Sequence, residues 1–158
     1  MGDKKSSVQR VIDELKKLNL STQFKDLPQS TRTASEAAAA VNCHVSQIVK
    51  SLIFQSKSTH KPVLVLTSGS NQVDEAVVGA VFGEEIRFSS AKFVREMTGF
   101  AIGGVSPFGL KGEITTYIDE DLLKHQVIWA AAGSHNTVFS IFPEDLVSAI
   151  DGQVITVH

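Results

Sequence analysis

The sequence contains one cysteine, Cys43, and only four prolines among its 158 residues. A single cysteine excludes an internal disulfide and is typical of a reducing compartment. No apolar run approaches the roughly 18 residues needed to cross a bilayer, and the polar N-terminus has no apolar signal core. These absences predict a soluble, cytoplasmic protein that does not contact a membrane.

The sequence also lacks an excess of charge of either sign, because 15 basic and 17 acidic residues give a net charge of −2 at pH 7. No global positive field attracts nucleic acid, so contact with phosphates requires a local patch. For any single basic residue, a solvated surface position is the commoner interpretation. The candidates for a patch are Arg32, Lys50, Lys57, Lys61 and Arg87.

Familiar catalytic and cofactor motifs are absent from the sequence. There is no phosphate-binding Walker loop, no dinucleotide fingerprint and no Gly-x-Ser-x-Gly elbow. The five histidines are scattered, so they have no metal-ligand spacing. Cys43 and His44 are adjacent, and neighbouring side chains generally point apart. We therefore expect no metal and no cofactor, and we expect any catalysis to use backbone groups.

The length and the composition fit one domain over residues 1–158, with 42% hydrophobic and 20% charged residues. Only the polar segment Met1–Ser7 is expected to fray. Apolar residues at three- and four-residue spacing predict an amphipathic helix over 8–18. Thr33 and Glu36 stand in capping-box relation before a second helix, which Asn42 closes. Further helices are predicted at 74–82, 90–97 and from Pro143, with a short one near 119–123.

Runs of branched apolar residues predict the strands. The first two, 49–55 and 63–68, form a hairpin with a long connection. Because later strands follow each other with short links, we predict an α+β fold with a mixed, largely antiparallel sheet flanked by helices. The remaining strands are predicted at 86–88, 114–118, 127–131, 138–141 and 154–157.

The segment Gly99–Gly109 is apolar but contains four glycines and one proline, which suits neither a helix nor a regular strand. Glycine reaches positive φ without steric cost and lets another molecule approach the main chain. The loop can therefore present amides and carbonyls to a ligand. The alternative is a tight turn whose apolar residues enter the core.

Lys50 lies inside an apolar run, Ile48–Phe54. Alternation along a strand places its side chain on the face of Leu52 and Phe54. On an inner face the ammonium is partly desolvated and needs a partner or a ligand anion. On an edge strand it extends to water and deters aggregation. The sequence leaves both alternatives open.

A third candidate segment is Ala130–Thr137, in which small residues precede Ser134, His135 and Asn136. Small residues make room, and the polar side chains can orient a ligand. A hairpin turn over Gly133–Asn136 is the commoner meaning of such a sequence.

Taken together and in this order, these segments resemble the YbaK and prolyl-tRNA-synthetase-associated domains, which are trans-editing aminoacyl-tRNA deacylases. The resemblance covers nearly the whole chain. It rests on the runs Ser30–Ala34 and Glu36–Ala38, the lysine run Ile48–Leu52, the run Val63–Gly69, the Gly-x-x-x-Pro loop Gly103–Pro107, and Ala131–Ser134.

The resemblance implies hydrolysis of the ester between a wrongly attached amino acid and the acceptor end of a tRNA. It assigns Gly103, Gly104, Val105, Ser106 and Pro107 to placing the carbonyl, the amine and water. It assigns Lys50 to a phosphate or carbonyl oxygen of the substrate. The candidates for lining the amino-acid pocket are Thr31, Ser51, Ser134 and His135.

The implied partners are an aminoacyl-tRNA and an aminoacyl-tRNA synthetase. The substrate is expected to carry a small or hydroxylated amino acid, with serine, threonine, alanine and cysteine left open because pockets discriminate poorly among similar small side chains. The alternative function is a non-catalytic module that binds a tRNA acceptor end or a synthetase.

Overall fold

Five α-helices and eight β-strands follow one another along residues 6–158, the part of the chain that the computed structural model describes. The helices are α1 (Ser7–Lys17), α2 (Ala34–Val41), α3 (Glu75–Phe82), α4 (Ala91–Thr98) and α5 (Pro143–Ala149). The strands are β1 (Phe24–Asp26), β2 (Val49–Ser56), β3 (Pro62–Ser68), β4 (Ile86–Phe88), β5 (Thr115–Asp119), β6 (Ile128–Ser134), β7 (Thr137–Ile141) and β8 (Gly152–Ile155). Short 3₁₀ helices span Val45–Gln47 and Glu120–Lys124.

The strands form two sheets. The larger has the order β4-β2-β3-β5-β8, in which β4, β2 and β3 pair antiparallel while β3, β5 and β8 pair parallel. The smaller sheet, β1-β7-β6, is antiparallel throughout. The predicted α+β class with mixed, largely antiparallel strands is confirmed. The division into two sheets was not predicted. The strand β1 was also not predicted, because its three residues are all exposed and show no alternation of apolar and polar residues.

Helix ends agree closely with the sequence signals. The Thr33 side chain accepts from the Glu36 amide at 3.1 Å, and Glu36 accepts from the Thr33 amide at 3.0 Å, which completes the capping box of α2. Asn42 ends this helix in the left-handed conformation. Gly99 ends α4 in the same way, at φ 80°.

The predicted fraying of Met1–Ser7 concerns mainly residues 1–5, which lie outside the described residues. Its last two residues belong to α1: the Ser6 side chain accepts from the Gln9 amide at 3.0 Å as the N-cap, and Ser7 is the first helical residue. Among the described residues, no helix is long and apolar enough to cross a membrane.

The main core lies between the two sheets. Val49, Ile53 and Leu64 of the larger sheet pack in one cluster with Phe139 of the smaller sheet and Leu15 of α1. A second cluster covers the other face of the larger sheet beneath α3, and a third joins α2 to the smaller sheet. Burial on both faces of β2 and β3 explains why the sequence of these strands is almost continuously apolar.

Candidate active site

A pocket opens where the two sheets separate. Ile48, which precedes β2, forms a parallel bridge with Trp129 of β6. Beyond this bridge, β4 pairs with β2 over Phe54–Ser56, so the β2 edge before Phe54 lies beside the pocket. The cavity measures about 710 Å³, which is the size of a small-molecule site. The start of α2 and the loop after α4 complete its walls.

Lys50 lies on this pocket and is half-buried. Its Nζ donates to the main-chain carbonyl oxygen of Asn71 at 2.6 Å. Burial lowers the pKa of the ammonium from its usual value, and the negative charge of Asp119 opposes that effect. The two alternatives for this lysine are therefore decided: it lies in a partly desolvated cleft and has a partner.

The glycine loop is partly in the core and partly at the pocket. Phe100, Val105 and Phe108 are at most 4% exposed and belong to the main core. Ile102 and Gly103 instead line the pocket and are exposed. The loop is therefore held rigidly from below while its tip faces the cavity.

Two pocket-lining residues of the predicted motif have amides with no hydrogen-bond partner among the described residues. Within residues 6–158, no hydrogen bond engages the N–H of Gly103 or of Val105, and both residues line the pocket. Val105 is only 3% exposed. Because buried amides without a partner are rare, the Val105 amide is a candidate donor to a ligand oxygen.

The other three residues of the predicted motif, Gly104, Ser106 and Pro107, do not line the pocket. The Gly104 amide donates to the Ala101 carbonyl at 2.9 Å, so it is not available to a ligand. The Ser106 side chain is fully buried and accepts from the Phe108 amide at 3.1 Å. Pro107 lies outside the pocket, on a separate groove beside Phe108.

Thr31, Ser51 and His135, three of the four predicted pocket residues, line the cavity. His135 is exposed, and its Nε2 lies 3.3 Å from the Gln29 carbonyl oxygen. Ser134 is not among the lining residues; its hydroxyl donates to Asn136 Oδ1 and Thr137 Oγ1, both at 3.0 Å. Ser134 pairs with Thr137 across the β6–β7 hairpin, so the turn interpretation is correct for that segment.

The pocket also contains a serine that sequence reasoning missed. Ser89, just after β4, lines the cavity together with Ser51. Both hydroxyl oxygens are buried and have no hydrogen-bond partner among the described residues. Such groups are costly to leave unpaired, which makes the two serines candidates for binding a polar group in the site. In the sequence, Ser89 is next to Ser90, whose N-cap position has a recognisable signal, whereas Ser89 has none. The pairing of β4 with β2 brings Ser89 to the pocket.

Of the five candidate basic residues, Arg32 and Lys50 line the pocket, whereas Lys57, Lys61 and Arg87 do not. The Arg32 guanidinium donates to the Gln29 and Thr31 carbonyls, at 2.7 and 2.9 Å. The site therefore has one exposed cation, Arg32, and one half-buried cation, Lys50, rather than a broad basic surface.

Asn71 and Asp119 were also missed. Asp119 ends β5, and Asn71 lies shortly after the end of β3. Because β3 and β5 are parallel neighbours, their carboxyl ends meet at one edge of the sheet, next to Lys50. The polar run after β3 and the aspartate at the end of β5 are the signal that could have identified them.

The structure is a two-sheet α+β domain in which the lysine-bearing strand β2 and the glycine loop border one pocket. The chain matches the model of the aminoacyl-tRNA editing domain over residues 28–149. This match covers well over half of the chain, and the protein belongs to that family.

Similar proteins extend the comparison. The chain is 30% identical over 140 residues to the uncharacterized protein YwhH of Bacillus subtilis, covering 89% of this chain and 88% of YwhH. It is 25% identical over 122 residues to EbsC of Enterococcus faecalis, named as a candidate Cys-tRNA(Pro)/Cys-tRNA(Cys) deacylase, covering 77% and 74% of the two chains. It is also 32% identical over 102 residues to a proline–tRNA ligase of Limosilactobacillus fermentum, and this match covers 62% of this chain and 18% of the ligase.

Solved structures agree with the fold. One, described as a candidate trans-editing enzyme for prolyl tRNA synthetase, superimposes with a TM-score of 0.88 at 39% identity and covers 98% of both chains. Another, described as the hypothetical protein APE2540, has a TM-score of 0.86 at 28% identity and covers 94% of this chain and 98% of its own.

Proposed function

We propose that this protein hydrolyses the ester between a wrongly attached amino acid and the terminal adenosine of a tRNA. The observation that carries this proposal is the convergence of Lys50 with the free amides of Gly103 and Val105 on one pocket. Membership of the aminoacyl-tRNA editing family supports it, as do the deacylase and trans-editing names of similar proteins.

The chemistry requires no side-chain nucleophile. An aminoacyl ester is already activated, so catalysis consists of positioning water and stabilising charge. The water oxygen bonds to the ester carbon, whose carbonyl oxygen becomes negative. The carbon–oxygen bond to the ribose then breaks, and the ribose oxygen takes a proton. In our assignment the Gly103 and Val105 amides donate to the developing oxyanion.

Lys50 has a complementary role in this proposal. Its ammonium contacts a phosphate or a carbonyl oxygen of the substrate. A positive charge in a half-buried cleft interacts more strongly with an anion than one in open solvent, because the effective dielectric constant is lower. In this proposal the exposed Arg32, which also lines the pocket, contacts the phosphates of the acceptor end.

The pocket favours a small substrate side chain that can hydrogen-bond. Its walls are largely aliphatic, including Leu52, Ile53 and Val94, while Ser51 and Ser89 contribute two unpaired hydroxyls. These features fit a small or hydroxylated amino acid and keep serine, threonine, alanine and cysteine as the candidates.

Mischarged tRNAs bearing these four amino acids test the proposal. Ester loss is followed with the wild-type protein, with Lys50→Ala, and with Lys57→Ala as the matched control. Lys57 lies directly after the end of β2, is 55% exposed and pairs with Glu85. We expect Lys50→Ala to lower kcat/KM on the order of a hundredfold, and Lys57→Ala to leave it unchanged.

The non-catalytic alternative makes a different prediction. A binding module retains the charged tRNA without accelerating ester loss, so a filter-binding assay shows complex formation while the ester decays at its spontaneous rate. That result, across the whole panel, contradicts the hydrolase function.

A further inference from the structure

We infer that Asn71 and Asp119 are positioning residues for Lys50, which hold its ammonium at the pocket wall through a chain of hydrogen bonds that ends in a buried carboxylate. This inference rests on the proposed function, in which Lys50 contacts the substrate. It adds two residues outside the pocket lining to the machinery of the site.

The chain of contacts is continuous. Lys50 Nζ donates to the main-chain carbonyl oxygen of Asn71 at 2.6 Å. The Asn71 side chain in turn donates to Asp119 Oδ2 and Asp121 Oδ2, both at 2.8 Å. The residue that holds the ammonium is therefore itself fixed by two carboxylates. Without that anchor, the segment after β3 has fewer restraints on its carbonyl direction.

Asp119 is built into the sheet rather than placed at the surface. Its carboxylate is fully buried and accepts from the Thr67 hydroxyl at 2.9 Å and the Ser68 amide at 3.0 Å. Its other oxygen accepts from the Asp121 amide at 2.9 Å. No basic group among the described residues forms an ion pair with it, so hydrogen bonds and the nearby charges of Lys50 and Lys124 compensate the buried anion.

Lys50 and Asp119 depend on each other electrostatically. Desolvation disfavours the ammonium, and the Asp119 charge favours it. Thr67 is the β3 partner of Lys50 in the β2–β3 pairing, and its hydroxyl donates to Asp119. Thr67 therefore links the strand of the lysine to the carboxylate. A purely structural role for Asp119, tying the ends of β3 and β5 together, predicts no effect on the lysine charge.

Other titratable groups surround this pair and must be followed too. Asp121 contacts Lys124 at 2.7 Å and His158 at 3.5 Å on the side away from the pocket. Arg32 and His135 line the same cavity as Lys50. A change confined to Lys50 is therefore distinguishable from a general shift of the local charges.

The experiment measures the Lys50 charge directly. Protein labelled with ¹³C at lysine Cε is titrated by NMR, and the Lys50 signal is assigned from its disappearance in Lys50→Arg. The variants are Asp119→Asn, Asn71→Ala and the control Glu84→Gln. Glu84 is a carboxylate that accepts hydroxyl bonds from Ser56 and Thr59, outside the pocket lining. Near-ultraviolet circular dichroism at Trp129 checks that the pocket is folded.

We expect the Lys50 ammonium to lose its proton at lower pH in Asp119→Asn than in the wild type, and Glu84→Gln to titrate as the wild type. Asn71→Ala keeps the main-chain carbonyl but removes the side-chain bonds to Asp119 and Asp121 that fix it. The ammonium is then held less firmly, so its midpoint also falls, and kcat/KM for deacylation drops about tenfold through misplacement. This second variant supplies the test if Asp119→Asn does not fold.

An unchanged Lys50 midpoint in the folded variants overturns the inference, whatever the activity. A lowered midpoint in a protein that deacylates no tRNA supports the electrostatic coupling and removes only the proposed reaction. The two failures are thus separable, because the NMR titration needs no substrate.

Discussion

Ile48 and Trp129 pair as a parallel bridge between the two sheets, and the pocket begins where their strands separate beyond it. The bridge places the Lys50 edge of β2 opposite Ala131 of β6. The cavity therefore follows from how the sheets meet, and the start of α2 and the loop after α4 complete its walls.

Substitution at the loop tip separates activity from stability. Gly103 has φ 88°, and an added Cβ would meet only His135 Cβ, at 3.8 Å. We expect Gly103→Val to abolish deacylation because its side chain occupies the pocket wall, and to lower stability by about 1–2 kcal/mol through the left-handed backbone. Rates and urea unfolding measure the two effects.

The matched control is Gly83→Val. Gly83 has nearly the same backbone, φ 91°, with nothing within 4 Å of an added Cβ, and it ends α3 outside the pocket lining. It should lose comparable stability and keep its activity. Equal loss of activity in both variants would falsify the steric role of Gly103.

Gly104 is expected to matter for folding. A Cβ there would lie 2.9 Å from Ser134 Cα and 3.1 Å from Ser134 N, both backbone atoms that cannot rotate away. Gly104→Ala should therefore cost about 1–3 kcal/mol of unfolding free energy. Gly112→Ala, where an added Cβ has open space, should stay within about 0.5 kcal/mol of the wild type. Chemical denaturation measures both, and equal values contradict the close packing.

The unpaired hydroxyls of Ser51 and Ser89 predict selectivity. Replacing each by alanine removes a buried group that has no partner in the free protein, so stability should not fall. The ratio of kcat/KM for seryl- over alanyl-tRNA should fall about three- to tenfold, since a hydrogen bond to the substrate hydroxyl is lost. Ser70→Ala, outside the pocket lining, serves as the control. An unchanged ratio in both pocket variants shows that the hydroxyls do not read the substrate.

The lowered pKa of Asp121 predicts that the stability of the fold falls at acid pH. Hydrogen bonds from Lys124 and Asn71 lower the pKa of this carboxyl from 3.8 to about 2. A depressed pKa in the folded state stabilises the protein above pH 4, and that contribution is lost as the pH falls from about 4 to about 2. Asp121→Asn should lower the melting temperature at neutral pH and flatten its decline in that window. The exposed Asp151→Asn should leave the profile unchanged.

Local signals predicted most elements of this fold. The capping box of α2, the glycine that ends α4 and Pro143 at the start of α5 depend on interactions within a few residues, so the sequence shows them directly. The β2–β3 hairpin also appeared as two apolar runs. Strand β1 escaped because it pairs with β7, far away in the chain, and its three residues are exposed.

For the site, the sequence supplied Lys50, Gly103 and the chemistry of a loop that offers backbone amides. It also singled out Ser134 and Pro107, which the folded chain directs elsewhere. The residues it missed, Ser89 and Asn71, reach the pocket or its lysine only through strand pairing and a turn. The spacing of residues within one strand cannot indicate contacts with residues of another segment of the chain.

By itself the sequence determined the helix ends, the apolar strands, the glycine loop and the lysine, because each is set by local conformational preference and periodicity. Only the tertiary structure decided which loop amides stay free, which serines lose their partners and which carboxylate supports the lysine. These depend on the relative placement of distant strands, where register and packing, rather than local preference, fix the distances between atoms.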